Sequence, residues 1–205
     1  MKNQEKYDMI NNIFLLYQQM KFLRGDDVIL KNRKLLYSLY ASLFAALVFV
    51  ATMIIKIPTL TGGYMNIGDG MVLLCGFILG PVWGSLAAGI GSMMADLVGY
   101  PIYAIATFLI KALMAFVAYF IAKFLKAIFK KNRFIAYGIA GLAAEVIMVV
   151  GYFVFEAIFM SYGIGAVVSV LPNILQGIVG IAVGTVLMVI FDKTKLIEKM
   201  MRKRD

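Results

Sequence analysis

Three ionisable side chains, Asp69, Asp96 and Lys111, stand inside otherwise apolar, glycine-dotted stretches between Gly62 and Lys111. A charge at membrane depth is expensive, so such a group is read as internally paired or as a contact for a polar ligand. Glu156, Asn173 and Gln176 occupy similar surroundings further along, and Tyr64, Asn66, Tyr100, Tyr103 and Tyr152 add hydroxyl, amide and ring faces. One lysine, several carboxylates, two amides and several tyrosines suit capture of a small polar molecule by charge-assisted hydrogen bonds and ring stacking. Each of these residues is equally open to a structural reading, as an ion pair or an interhelical hydrogen bond. Lys111 has three candidate partners in Asp69, Asp96 and Glu156, and the sequence leaves the choice open.

Other chemistries are poorly provided for. The chain has no histidine and a single cysteine, Cys75, so a zinc site of the usual kind lacks ligands and no intramolecular disulfide can form. Asp69, Asp96 or Glu156 could act as acid and base in a membrane-embedded enzyme, but no activated serine or cysteine arrangement accompanies them. There is no G-x-x-x-x-G-K-[ST] segment, so the chain does not hydrolyse ATP through a P-loop. No cofactor is expected.

The elements that must position these residues are membrane helices. Of the 205 residues 62% are hydrophobic and 15% charged, which is too apolar for an ordinary soluble domain. Continuous apolar runs of about 20 residues recur, each long enough for a hydrocarbon core of roughly 30 Å, and they do not alternate as barrel strands do. Residues 1–34 form a polar and apolar segment, with Ile10, Ile13, Phe14, Tyr17 and Met20 spaced for an amphipathic surface helix. The start of the chain lacks a small-residue cleavage site, so no removable signal peptide is expected.

Residues 35–192 divide into six spans. The first runs from Leu35 to Lys56, followed by a loop from Ile57 to Ile67 that contains Pro58 and Gly62-Gly63. The second, Gly68 to Leu79, is short and ends at Gly80-Pro81, and the third is Val82 to Val98. Gly99-Tyr100-Pro101 is a turn, and the fourth span continues to Phe129. A polar break at residues 130–133 leads to the fifth, Phe134 to Met160, and after a turn at residues 161–165 the sixth ends near Asp192. Residues 193–205 are a basic tail. Small residues recur at every fourth position, Gly76, Gly80 and Gly84, then Ala87, Gly91, Ala95 and Gly99, a spacing that lets helix backbones approach in lipid.

The net charge of +9 is a matter of topology rather than of nucleic acid binding. Of the 20 Lys and Arg, seven precede the first span, five lie between Lys123 and Arg133, and six lie in the tail. Six spans put these three regions on one side, which the positive-inside rule makes cytoplasmic, with lipid headgroups as natural neighbours. The polar inventory then gathers in the outer half of the bundle. Asp69 and Asp96 are expected at outer helix ends, and Lys111 about 15 Å below the outer end of the fourth helix. Glu145, Val149, Tyr152 and Glu156 form one stripe of the fifth helix, with Glu145 deep enough to tie helices together. Trp83 falls toward the cytoplasmic side.

The segments GGYMNIGDG, GFILGPVWG, GIGSMMADLVGYPIYA and TFLIKAL, followed by GYFVFEA and LPNILQG, carry a resemblance. They are similar to the substrate-binding (S) components of energy-coupling factor (ECF) vitamin transporters, over roughly residues 37 to 192, and most to the riboflavin-type branch. The resemblance implies a six-helix bundle that holds one vitamin near the outer face, covered by the loop after the first helix. In this chain that loop offers Thr59, Thr61, Tyr64 and Asn66, with Gly62-Gly63 as a hinge. It further implies a membrane scaffold (T) subunit, docked through an A-x-x-x-A motif that Ala41 and Ala45 match, and two ATPase (A) subunits that supply the energy. In such proteins the S component topples in the membrane to deliver its cargo. The residue set favours a flat, hydroxylated, weakly basic ring, hence pyridoxine or a hydroxymethylpyrimidine, ahead of pantothenate paired to Lys111 and of riboflavin. A stand-alone proton-coupled carrier is the rival reading, weakened by the lack of inverted repeats.

Overall fold

Alanine and glycine are prominent inside this protein, beside a few large side chains such as Leu73, Met114 and Tyr137, and many large apolar side chains stand outside. The computed structural model describes residues 33–195 and two isolated earlier positions, Asn11 and Leu15. Ala87, Ala88, Ala115, Ala118, Ala136, Ala140 and Ala144 are buried, whereas Ile105, Leu109, Phe124, Leu171 and Ile178 are exposed. In water that distribution would be unstable. In lipid it is expected, because helix association there rests on close van der Waals packing between small residues. Among the described residues five helical stretches are long and apolar enough to cross a membrane.

Helix α1 covers Arg33–Ile54. A short antiparallel hairpin follows, β1 Lys56–Pro58 and β2 Tyr64–Asn66, with Lys56 opposite Asn66 and Pro58 opposite Tyr64. Helix α2 is Asp69–Gly99, α3 Ala104–Ile128, α4 Arg133–Val154 and α5 Val170–Thr194. A 3-10 turn, Pro101–Tyr103, leads into α3. A π turn, Phe155–Phe159, extends α4, and a 3-10 segment, Gly163–Ser169, leads into α5.

Helix α2 is two arms rather than one rod. Gly80 adopts φ 82°, a left-handed conformation that favours glycine, and Pro81 follows at the start of a new arm, where its missing N–H does no harm. The chain reverses there. A side chain on Gly84 would run into the carbonyl of Cys75, nine positions earlier, which lies about 13 Å away in a straight helix. The six expected segments are therefore present, but the arm from Asp69 to Leu79 is only about 16 Å long and reaches part-way through a bilayer.

Three expectations need correction. The first helix stops at Ile54 rather than Lys56, and the covering loop carries a hairpin. Its strands are three residues each, too short for an alternating pattern to register. Asp69 does not lie at the outer end of its bundle. Its Cβ packs against Gly180, ten positions into α5, and its carboxylate meets Lys111, well inside α3, because the hairpin delivers the chain below the mouth before α2 begins. The fifth helix is α-helical to Val154 and then widens into the π turn. The amphipathic helix expected before residue 33 and most of the basic tail lie outside the described residues.

Glycine contacts make one direct prediction. Gly76 packs on the Ala115 carbonyl, Gly84 on that of Cys75 and Gly91 on that of Ala45, and backbone cannot yield as a side chain can. Gly84→Ala is expected to lose about 1–3 kcal/mol through overpacking. Gly138 has open space around its Cβ position, so Gly138→Ala should leave the melting temperature in detergent equal or slightly raised. Equal melting temperatures for the two variants would contradict the hairpin of arms.

Candidate functional site

At the hairpin end of the bundle the helices diverge around a pocket of about 500 Å³, counting its open mouth. Its lining comes from the hairpin region (Thr59, Gly63, Tyr64, Asn66), α1 (Thr52), α2 (Ser92, Asp96) and α3 with its preceding turn (Tyr103, Thr107, Lys111). Tyr152 and Glu156 line it from α4 and its π turn, Ser169 from the end of the following 3-10 segment, and Asn173 and Gln176 from the start of α5.

The deepest layer answers the question of the lysine partner. Lys111 pairs with Asp69 Oδ1, and both side chains are almost wholly buried. Gln176 Nε2 donates to Asp69 Oδ2 at 2.6 Å, so each oxygen of this carboxylate has a donor. A buried carboxylate supplied in this way escapes the penalty of an uncompensated charge. Gln176 Oε1 in turn accepts from the backbone N–H of Asn66 at 2.7 Å and from its Nδ2 at 3.3 Å. Asn66 Oδ1 accepts from the Gly68 N–H at 2.8 Å, just ahead of α2. One amide side chain thus joins the covering hairpin to the buried ion pair.

The middle layer is built on Glu156. Its Oε1 accepts from Thr61 Oγ1 at 3.0 Å and from the Tyr103 hydroxyl at 3.0 Å, and that hydroxyl also lies 3.1 Å from the Thr61 carbonyl. Among the described residues Glu156 Oε2 and Ser92 Oγ have no hydrogen-bond partner, although both side chains line the pocket. Thr107 and Tyr152 share a hydroxyl contact of 2.9 Å, and the Tyr152 ring lies 5.5 Å from Lys111 Nζ and 6.3 Å from the Tyr103 ring.

Aromatic and cationic contacts surround the mouth. The Tyr64 hydroxyl donates to Asp96 Oδ1 at 2.5 Å, and the Tyr64 and Tyr100 rings pack with centroids 4.5 Å apart. Lys56 Nζ sits 4.4 Å from the Tyr64 centroid, 5.5 Å from that of Tyr100, and donates to the Ala95 carbonyl at 3.1 Å. Partial burial pulls the Lys56 ammonium below the usual lysine range, with Asp96 opposing it. Burial, and then the Asp96 charge, push the Tyr64 phenol well above its ordinary value. Tyr64 therefore stays neutral and can donate to Asp96 across the physiological range.

Most residues singled out in the sequence converge here, with two exceptions. Asp69 stands behind Lys111 and Gln176 rather than on the pocket wall, and Tyr100 braces Tyr64 from outside it. Glu145 packs from α4 onto Gly177 and Gly180 of α5 beside Asp69, with neither oxygen in a direct hydrogen bond among the described residues. Ala41 is buried in the core, while Ala45 is half-buried with its carbonyl packed on Gly91. No group of three or more candidate metal ligands occurs among the described residues.

Sequence reasoning missed Thr52, Ser92, Thr107 and Ser169. A signal was present for three of them. Ser92 precedes Asp96, Thr107 precedes Lys111 and Ser169 precedes Asn173 by four positions, one turn on the same face. A search one turn from each buried polar group would have found these.

Comparison with known proteins adds to this geometry. The family described as ECF-type riboflavin transporter, S component, matches residues 35–193. A protein of Pyrococcus woesei, described as an uncharacterized protein in gap 3'region, is 34% identical over 139 residues, which is 67% of this chain and 88% of that protein. A solved structure, reported as the structure and mechanism of the S component of a bacterial ECF transporter, is similar with a TM-score of 0.61 and 24% identity. It covers 77% of this chain and 96% of its own. At that identity the likeness is one of fold.

Proposed function

This chain belongs to the family of ECF-type riboflavin transporter S components, multi-pass membrane subunits that bind a vitamin for transport, and from that premise we propose a particular cargo and working cycle. The cargo is a small, flat, hydroxylated and weakly basic ring, pyridoxine or a hydroxymethylpyrimidine. The observation that carries this reading is the charge balance of the pocket. Lys111 is already committed to Asp69, while Asp96 and Glu156 line the cavity, and Glu156 Oε2 and Ser92 Oγ are buried without a hydrogen-bond partner among the described residues. A ligand with hydroxyl donors and a protonatable ring nitrogen finds acceptors there, and Tyr103 and Tyr152 offer ring faces. A carboxylate ligand such as pantothenate would have to compete with Asp69 for the lysine, which places it lower.

Riboflavin is the second reading, favoured by the name of the matching family. It too is flat and hydroxylated, but it is larger and lacks a basic ring nitrogen, so size and basicity separate the two. In either case the hairpin acts as the cover. Its Thr61, Tyr64 and Asn66 bind to groups from α4, α2 and α5, and these bonds must exchange for a ligand to enter or leave. Import would be driven by a membrane scaffold subunit and two ATPase subunits. The basic ends of the helices would face the cytoplasm and the pocket the outside.

The test is direct. Protein purified in mild detergent and then denatured is expected to release one small molecule per chain, identified by mass spectrometry as pyridoxine or the pyrimidine. A released flavin would establish the second reading. If none is released, calorimetric titration of the protein with pyridoxine, the pyrimidine and riboflavin decides, and binding of none contradicts both. Uptake into sealed vesicles by this chain alone under a proton gradient would favour the stand-alone carrier.

A further inference from the structure

Glu145 lies on α4 beneath the pocket, is 4% exposed, and among the described residues has no hydrogen-bond partner for either carboxylate oxygen. Glycines face it from α5. A Cβ on Gly180 would stand 2.7 Å from Oε1, and one on Gly177 would stand 3.3 Å from Oε2. The same Gly180 point is 2.7 Å from the Cβ of Asp69, so the two acidic side chains are near neighbours. These distances are shorter than ordinary Cβ contacts, so only glycine at these two positions lets the carboxylate pack directly on the α5 backbone.

The charged and titratable groups around Glu145 can be named element by element. Asp69 faces it from α2, near enough for its side chain to share a hydrogen bond if a proton lies between the two carboxylates, and the Lys111 charge acts on it from α3. The cluster therefore holds two carboxylates against one ammonium. Lys111 and Gln176 both bond to Asp69, which leaves Glu145 as the uncompensated member. An unpaired charge in a desolvated interior is strongly unfavourable, and a partner of opposite sign removes that penalty.

We propose that Glu145 holds one exchangeable monovalent cation, a proton or an alkali ion, which brings the buried Asp69–Lys111–Glu145 cluster to neutrality. The site is separate from the vitamin pocket but linked to it. Lys111 and Gln176 line the pocket, and the hairpin is tied to Gln176 through Asn66. A ligand that draws either side chain away from Asp69 alters the field at Glu145. By reciprocity, cation occupancy and ligand affinity then change by the same factor.

The experiment uses the full chain in detergent and no vitamin. Melting temperature is recorded in sodium, potassium and choline chloride at fixed ionic strength, and the infrared spectrum is recorded for protonated carboxyl absorption. If the cation is an alkali ion, saturating sodium or potassium raises the melting temperature over choline by about 3 °C or more. If it is a proton, the salts are equivalent and the difference spectrum of wild type minus Glu145→Gln shows a protonated carboxyl band. Glu145→Met, apolar and of similar size, serves as the second variant should the amide fail to fold. A wild type with neither salt response nor protonated carboxyl band, or either signal surviving in both variants, overturns the assignment.

Discussion

Replacing Lys111 with methionine is expected to destabilise the folded protein by about 3–5 kcal/mol, the usual consequence of removing one partner from a buried ion pair. The size follows from where the pair sits. Lys111 is 2% exposed and Asp69 1% exposed, so water cannot take over the lost interaction. The methionine fills nearly the same volume, which isolates the charge from any packing defect. Asp69 would keep the Gln176 amide at 2.6 Å but lose its counter-ion. Adding Asp69→Asn to Lys111→Met should recover most of the loss, because a neutral amide can still accept from Gln176 and no charge is left bare. The measurement is a double-mutant cycle on melting in detergent. A single variant that melts with the wild type would contradict the buried pair, and equal loss in single and double variants would point to packing instead.

Much of this arrangement could be read from residue types, and what could not has definable physical causes. The reversal at Gly80-Pro81 was legible because left-handed backbone and a missing N–H are properties of the residues themselves. The gathering of Asp96, Lys111, Glu156, Asn173 and Gln176 around one pocket was legible because burial at membrane depth leaves such groups few alternatives. The lysine's partner was not. Choosing Asp69 over Asp96 and Glu156 depends on the depth at which α2 begins, and that depth is fixed by a hairpin whose strands are too short to leave a periodic signal. The isolation of Glu145 was likewise hidden, since it depends on which α5 residues face α4, and these are Gly177 and Gly180. The positions of the buried polar groups along each helix were readable, but the depth of Asp69 and the pairing across helices were not.

Glu156→Gln is expected to weaken binding of pyridoxine, or of whichever vitamin the purified protein releases, by roughly tenfold to a hundredfold, about 1.4–2.8 kcal/mol. As a carboxylate, Glu156 accepts on both sides: Thr61 and Tyr103 donate to Oε1, and Oε2 is left for a ligand donor. An amide of the same shape accepts at one position and donates at the other. If its oxygen stays toward Thr61 and Tyr103, its NH₂ meets the ligand's donor. If it flips, the NH₂ meets two hydroxyls, one of them on the covering hairpin, and closure itself is weakened. Either orientation forfeits charge-assisted bonds in a desolvated place, where they are strongest. The fold should survive, because the π turn that carries Glu156 is held by its own backbone and no buried counter-ion is stranded. Asn173→Ala is the companion variant, expected to lose affinity through a lining amide on α5 while leaving the Asp69–Lys111 pair intact. Calorimetry on the two variants, with melting measured beside it, separates lost contacts from lost folding. Wild-type affinity in both would place the vitamin somewhere other than between Glu156 and Asn173.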